Sequence, residues 1–317
     1  MENARSPLVC VLDPIAAEAT AWLAGHAEVA GPDDPRTADW PTHADGLIVR
    51  TSPVPGAAIR SAARLKVIAK HGVGVDNIDL GAARAAGVRV TNTPGANTNA
   101  TAELTVALVL ATARRVASLD RALRDGVGVR EADRIGMEVF GRAVGLVGFG
   151  RIAQRVAAIV RQGFGCTVRA YSPRTLDERF AAAGVERAAS LPALAAVSDI
   201  LSIHVPLSPE TRHLIGRNVL SALPRTAILV NTARGGIVDE IALYEALRSG
   251  DLAAAASDVF ETEPPPAGHP LLSLPNFIAT PHIGAATTDA MRNMGMDAAR
   301  AAVAILRGGV PEDGLLV

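Results

Sequence analysis

Three ionisable side chains in the second half of the chain each follow an apolar run. Arg234 lies in Asn231-Thr232-Ala233-Arg234-Gly235-Gly236, Glu263 in Asp258-Val259-Phe260-Glu261-Thr262-Glu263-Pro264, and His282 in Thr280-Pro281-His282-Ile283-Gly284. A histidine with a carboxylate partner can work as a general acid/base, and a guanidinium is a forked site for a carboxylate. Together they could protonate a carbonyl oxygen and hold an adjacent carboxylate, given a hydride donor beside them. Alone, each has a plainer reading: a structural histidine next to proline, a surface arginine, and a solvated glutamate before Pro264-Pro265-Pro266. In a parallel sheet, though, positions just past strand ends gather at one edge.

A site for the hydride donor is also written in the chain. Gly148-Phe149-Gly150-Arg151-Ile152-Ala153 is a G-x-G-x-x-A run after a strand-like segment and before a helical one. Glycines are needed where the chain turns tightly and a pyrophosphate approaches the backbone, while the third position needs only a small side chain. The helix that follows offers N–H groups and a positive dipole end to phosphates. NAD-binding sites of this kind carry an acid about 20 residues on to hold the ribose hydroxyls. Here the second strand ends Tyr171-Ser172-Pro173-Arg174, with no acid. Ser172 and Arg174 could instead receive a 2′-phosphate, so NADP(H) is favoured over NAD(H), with a solvated Arg174 and NAD use as the alternative.

The elements that must carry these groups follow from apolar periodicity. Short buried strands are expected at 8–12, 46–49, 67–70 and 88–91, with helices at 57–64 and 80–86. One long helix is expected over 98–123, then a loop at 125–134. Six further strands are expected at 143–148, 167–171, 200–205, 227–231, 254–259 and 277–280. Helices at 151–162 and 240–249 should end at Gly163 and Gly250. A last helix over 287–307 should cross back onto the first sheet. The fold class is α/β: two Rossmann-like, doubly wound parallel-sheet domains with a crevice between them. The expected division is 1–96 with 287–317 for substrate and 97–286 for dinucleotide.

Composition narrows the function classes. At 317 residues with 49% apolar residues there is material for two cores, and the net charge of −1 argues against a general nucleic-acid or anionic-membrane binder. No apolar run is long enough to span a bilayer, and the first residues lack a signal-type apolar core. Two distant cysteines, Cys10 and Cys166, fit buried thiols in a cytoplasmic protein, and no cluster has metal-ligand spacing, so no metal is expected.

The three loops, with Gly72-Val73-Gly74-Val75-Asp76-Asn77-Ile78-Asp79 and Thr91-Asn92-Thr93-Pro94-Gly95, resemble the D-isomer-specific 2-hydroxyacid dehydrogenase family over residues 8–307. That resemblance implies hydride transfer between a nicotinamide dinucleotide and a small polar 2-keto or D-2-hydroxy acid, of the hydroxypyruvate, glyoxylate or 3-phosphohydroxypyruvate type. It implies His282 as acid/base, Glu263 as the carboxylate that orients it and favours its protonated form, and Arg234 as the clamp on the substrate carboxylate. Backbone N–H groups of Val73 and Gly74 would hold that carboxylate too, with Arg50, Lys70 and His71 lining the substrate pocket beside Thr51 and Ser52. Asp258 would contact the nicotinamide amide. Gly148, Gly150, Arg151, Ile152, Ser172, Arg174, Val205, Pro206, Thr211, Thr232, Ala233 and Thr101 complete the implied cofactor site. His204 is expected to pack near the cofactor, and His26, His43, His213 and His269 to be surface or packing residues.

The family commonly forms homodimers through its cofactor domains, and the apolar stretch 100–113 is the expected interface. Many members carry a tryptophan near 126–130, where this chain reads Gly126-Val127-Gly128-Val129-Arg130. With so little chain after the last helix, an appended serine-sensing domain, which some phosphoglycerate dehydrogenases carry, is not expected. Glu263 separates it from formate dehydrogenases of the same fold, which have glutamine there. The rival from another function class is a nicotinamide-sensing, corepressor-like binding protein with the same trio.

Overall fold

The computed structural model describes residues 5–311 and 313–316. They fall into two units, one built from residues up to 97 and from 285 on, the other from 98–284. Each is wound on its own parallel sheet.

Unit 1 contains β1 (Leu8–Val11), β2 (Glu28–Ala30), β3 (Gly46–Val49), β4 (Val67–Lys70) and β5 (Arg89–Thr91), in the order β2-β1-β3-β4-β5. β1, β3 and β4 are buried along their whole length, which is why they read as unbroken apolar runs. Successive side chains go to opposite faces. Leu8, Cys10, Leu47 and Ile68 pack under Ile59 and Trp40, whereas Val9, Val11, Ile48 and Val67 meet Ala298, Ala299, Ala302 and Val303. Those last four belong to helix Thr288–Leu306, which Thr287 caps by accepting a hydrogen bond from the Ala290 N–H. Each such Leu, Ile or Val contributes roughly 1.5–3 kcal/mol by leaving water.

Unit 2 contains β6 (Ala143–Val147), β7 (Thr167–Tyr171), β8 (Glu186–Arg187), β9 (Ile200–Ile203), β10 (Ile228–Asn231), β11 (Ala254–Ser257) and β12 (Phe277–Ala279), in the order β12-β11-β10-β9-β6-β7-β8. Strand order reverses at β6, between β7 and β9, where open sheets of this kind bind ligands. Both units are parallel α/β sheets of the Rossmann-like kind. The expected second sheet of six strands has a seventh, the exposed two-residue edge β8.

Strand β2 was not expected, the expected loop at 125–134 contains the short helix Glu131–Arg134, and three further local features differ from the sequence expectation. The single helix over 98–123 is two, Thr98–Ala113 and Val116–Arg124, broken at Arg115 with φ 57°. The cause is the chain returning at Gly136-Met137: Met137 N–H donates to Ala113 O at 2.8 Å, taking the carbonyl that a continuing helix would use. Only glycine fits at 136, since a Cβ there would lie 2.6 Å from the same oxygen. Helix Arg151–Phe164 runs through Gly163 and is capped by left-handed Gly165, whereas Gly250 caps Glu240–Ser249 as read. Finally, helix Thr98–Ala113 buries Ala102, Val106, Leu108 and Val109 within its own unit, with Val156, Ala157 and Val160, so the apolar stretch read as a subunit interface is already covered. Among the described residues no helix is long and apolar enough to cross a membrane.

Candidate active site

Arg234, Glu263 and His282 follow β10, β11 and β12, three adjacent parallel strands, so their loops leave the same edge of the sheet. The structure brings Glu263 and His282 into direct contact: Nδ1 of His282 lies 2.7 Å from Glu263 Oε2. A ring nitrogen facing a carboxylate carries the proton, which leaves Nε2 directed elsewhere as the working atom. Glu263 Oε1 accepts the Phe260 N–H at 3.0 Å. Burial pushes the Glu263 carboxyl up, but the bonds from His282 and Phe260, with the charges of His282 and Arg234, outweigh it and hold it below the ordinary glutamate value. Arg234 is half-buried, and its turn is closed by Asn231, whose Oδ1 accepts the Ala233 N–H and whose Nδ2 donates to Arg234 O.

His282 has φ 53°, in the left-handed region where histidine is tolerated but uncommon. Asp258 holds it there. The His282 N–H donates to Asp258 O at 2.8 Å, and the Asp258 carboxylate accepts Ile283 N–H, Gly284 N–H and the Thr280 hydroxyl. Asp258, read as a nicotinamide contact, is 1% exposed and its carboxylate is occupied by the turn that carries His282. Thr280 and Asn231 were not singled out in the sequence; a polar residue closing an apolar strand was their only signal.

The glycine fingerprint stands at the reversal point of the sheet. Gly148 has φ 95°, and a Cβ on it would lie 2.4 Å from His204 O, so both conformation and space require glycine. Phe149 is buried and stacked on Phe180. Gly150 precedes helix Arg151–Phe164, whose first turn has no side-chain cap, and a Cβ on Gly150 would meet nothing within 4 Å. The N-terminal end of a helix, with open space at Gly150, suits a pyrophosphate. Ala153 is fully buried, as the third fingerprint position demands.

Past β7, Ser172 Oγ lies 2.8 Å from Thr175 Oγ1, and Arg174 is exposed. Glu210 is near enough to Arg174 to feel it: the Ser208 hydroxyl, the Glu210 backbone N–H and, more weakly, Arg174 lower its carboxyl. Thr211 Oγ1 closes the following loop, donating to Pro206 O and accepting the Ser208 N–H. Thr232 and Thr101 are buried, Thr232 sharing a 2.7 Å hydroxyl contact with Thr105. His204 lies against Ser202 Oγ at 2.9 Å, and burial lowers it to about 4, a neutral ring. Val205 is half-buried beside Gly148.

The candidate substrate residues of unit 1 follow β3 and β4. Lys70 is buried, its ammonium donating to Arg50 O and to Asn77 Oδ1 at 2.7 Å, which ties it to the loop after β3. His71 is buried with Nε2 3.1 Å from Met291 O, and burial lowers its pKa. Arg50 is half-buried with its guanidinium toward Met291. Val73 is exposed, on a loop pinned by Asn92 Nδ2 and Thr93. Asp13, missed in the sequence, organises this group: its carboxylate accepts Arg50 N–H, Thr51 N–H, and the Thr51 and Ser52 hydroxyls at 2.6–3.0 Å. Burial would raise Asp13, but those bonds bring it to about 2.

The sequence profile of the D-isomer specific 2-hydroxyacid dehydrogenase NAD-binding domain matches residues 106–284. A glyoxylate reductase of Aeropyrum pernix is 46% identical over 259 residues, covering 80% of this chain and 77% of that protein. A D-3-phosphoglycerate dehydrogenase of Methanocaldococcus jannaschii is 43% identical over 271 residues, 85% of this chain and 51% of that protein. The crystal structure of a Thermus thermophilus protein, 40% identical, superposes with a TM-score of 0.87 and covers 98% of this chain and all of that one. The chain belongs to the D-isomer-specific 2-hydroxyacid dehydrogenase family. It spans about half the length of the phosphoglycerate dehydrogenases that it matches.

Proposed function

We propose that this chain reduces a small polar 2-keto acid to its D-2-hydroxy acid, with NADP(H) favoured over NAD(H). The observation that carries the reading is the 2.7 Å His282–Glu263 pair at the strand-end edge that also bears Arg234. The names of the relatives support it: glyoxylate reductase and D-3-phosphoglycerate dehydrogenase both denote 2-keto or 2-hydroxy acid chemistry. Residues 97–286 are assigned to the dinucleotide, and 1–96 with 287–317 to the substrate.

A bound nicotinamide dinucleotide supplies the hydride. Gly148, Gly150 and the N–H groups of Arg151 and Ile152 would hold its pyrophosphate. Thr101, Val205, Pro206, Thr211, Thr232 and Ala233 would flank it, and Ser172 and Arg174 would receive a 2′-phosphate. Arg234 grips the substrate carboxylate and polarises the carbonyl, assisted by the backbone N–H groups of Val73 and Gly74. His282 delivers a proton from Nε2 to the carbonyl oxygen, and Glu263 stays ionised to stabilise the imidazolium. Arg50 is the cation offered to a second charged group on the substrate, with His71 closing the pocket behind it.

Two copies associate through segment 116–140. Helix Val116–Arg124 has no buried residue, and Val116, Leu123, Val127, Ile135 and Phe140 are all exposed, Leu123 at 81% and Phe140 at 75%. So large an apolar display within one segment fits an interface. Light scattering should show a dimer that Leu123→Asp with Phe140→Asp converts to monomer; a monomeric parent sinks this part.

Initial rates with glyoxylate, hydroxypyruvate and 3-phosphohydroxypyruvate, each with NADPH and NADH, test the rest. Turnover with NADPH ahead of NADH supports both halves of the reading. Turnover with NADH ahead overturns the cofactor preference alone. Tight dinucleotide binding without turnover on any 2-keto acid overturns the enzyme reading in favour of the dinucleotide-sensing one.

A further inference from the structure

The Phe260–Glu261 peptide is where the loops carrying Arg234 and Glu263 meet. Its carbonyl abuts Gly235, next to Arg234, so closely that a Cβ there would lie 1.8 Å from Phe260 O. Its N–H, that of Glu261, donates to Glu240 Oε1 at 2.8 Å. One residue earlier, the Phe260 N–H holds Glu263 Oε1 at 3.0 Å. A shift of this peptide would therefore move both loops at once.

Glu240 is well placed to prevent that shift. It is the first residue of helix Glu240–Ser249, whose N-cap Asp239 accepts the N–H groups of Ile241 and Ala242. Its second oxygen, Oε2, lies 3.0 Å from His269 Nε2, and the two side chains are only 17% and 14% exposed. The His269 ring packs edge-on to Phe260, with centroids 5.5 Å apart. Its Nδ1 is buried and has no hydrogen-bond partner among the described residues. His269 is thus a packing residue, as the sequence suggests, that also engages the Glu240 carboxylate. Other ionisable groups also face the loop: Arg234, whose charge reaches Glu263, His282, bonded to Glu263, and His213, 2.9 Å from Glu261. The His213–Glu261 pair is more exposed, and solvent weakens it.

We infer that Glu240 and His269 are positioning residues for the acid/base pair. His269 orients the Glu240 carboxylate, Glu240 clamps the Phe260–Glu261 peptide, and that peptide sets Glu263 against His282 with the Arg234 loop in register. The inference rests on the reading of His282 and Glu263 as acid and partner.

The test is a set of kcat and kcat/KM profiles against pH for Glu240→Ala, Glu240→Gln and His269→Ala in the full chain, with NADPH affinity measured by fluorescence. Misplacing a catalytic group by about an ångström can slow a reaction up to roughly a hundredfold. Glu240→Ala should lower kcat by about ten- to a hundredfold and shift the pH profile, with NADPH affinity unchanged. Glu240→Gln keeps an acceptor for the Glu261 N–H and should recover most of the loss, and His269→Ala should fall between. Parental kcat and pH profile in Glu240→Ala overturn the inference. So does a loss of kcat matched by a loss of NADPH affinity, since general disruption then explains both. His282→Ala and Glu263→Gln run alongside separate the two readings. If they turn over like the parent, the acid/base reading falls and the brace with it; if they are inactive while Glu240→Ala is unaffected, only the brace falls.

Discussion

Each unit uses one buried aspartate after a strand to hold the loop after a neighbouring strand. In unit 1 Asp13 follows β1 and gathers residues 50–52 beyond β3, whereas in unit 2 Asp258 follows β11 and gathers residues 280–284 beyond β12. What is held differs. Asp13, Lys70 and Asn77 all reach onto loop atoms, and nearby Val73 is exposed with its carbonyl held by Asn92. Asp258 instead fixes backbone so that an ionisable side chain is presented: His282 is 47% exposed, its partner Glu263 35%. The same sheet edge can thus serve as a platform of peptide groups or as a mount for proton chemistry, depending on which side of the loop is tied down.

Breaking unit 2's presented groups should have the larger effects. His282→Ala should lower kcat by about 10²–10⁴-fold, the range for a lost general acid. Activity near the parent's would erase the distinction between the two units. Arg234→Ala should reduce kcat/KM by roughly 10²–10³-fold, mostly through weaker holding of the carboxylate. An effect confined to thermal stability would move Arg234 to the supporting class.

Unit 1's staple should register in stability first. The Asp13 carboxyl sits at about 2 instead of 3.8, so its ionised form is favoured in the folded chain. That is worth about 2 kcal/mol, in full above pH 4 and lost as pH falls toward 2. In urea unfolding, Asp13→Asn should therefore lose about that much at pH 7, with the gap to the parent narrowing below pH 4. A gap that widens on acidification contradicts the sign. Least is expected of Arg174→Asp, about tenfold in KM for NADPH, with NADH little affected. Equal loss with both dinucleotides would place Arg174 outside the 2′-phosphate site.

Much of this organisation was legible. Buried parallel strands appear as unbroken apolar runs, so β3, β4 and β7 were read to the residue, and the trio stood out because three loops in succession ended apolar runs with ionisable groups. What escaped depends on atoms distant in sequence. Asp13 is an ordinary acid until the fold brings residues 50–52 onto it, and the contact of Lys70 with Asn77 is equally invisible in the sequence. The break at Arg115 was hidden because the interruption comes from Met137, which local helix periodicity cannot report. Gly163 and Gly165 are equally good stop signals by composition, and only the left-handed conformation of the second distinguishes them.

The left-handed backbone of His282 is secured by peptide hydrogen bonds to Asp258 O and Thr280 O, not by its ring. Glycine adopts that conformation without a Cβ to object. Replacement by glycine should therefore leave the turn at rest and open an imidazole-shaped vacancy beside Glu263, reachable from solvent. Free imidazole added to such a chain could enter and take up the missing acid's work, so the lost chemistry should be repairable from solution.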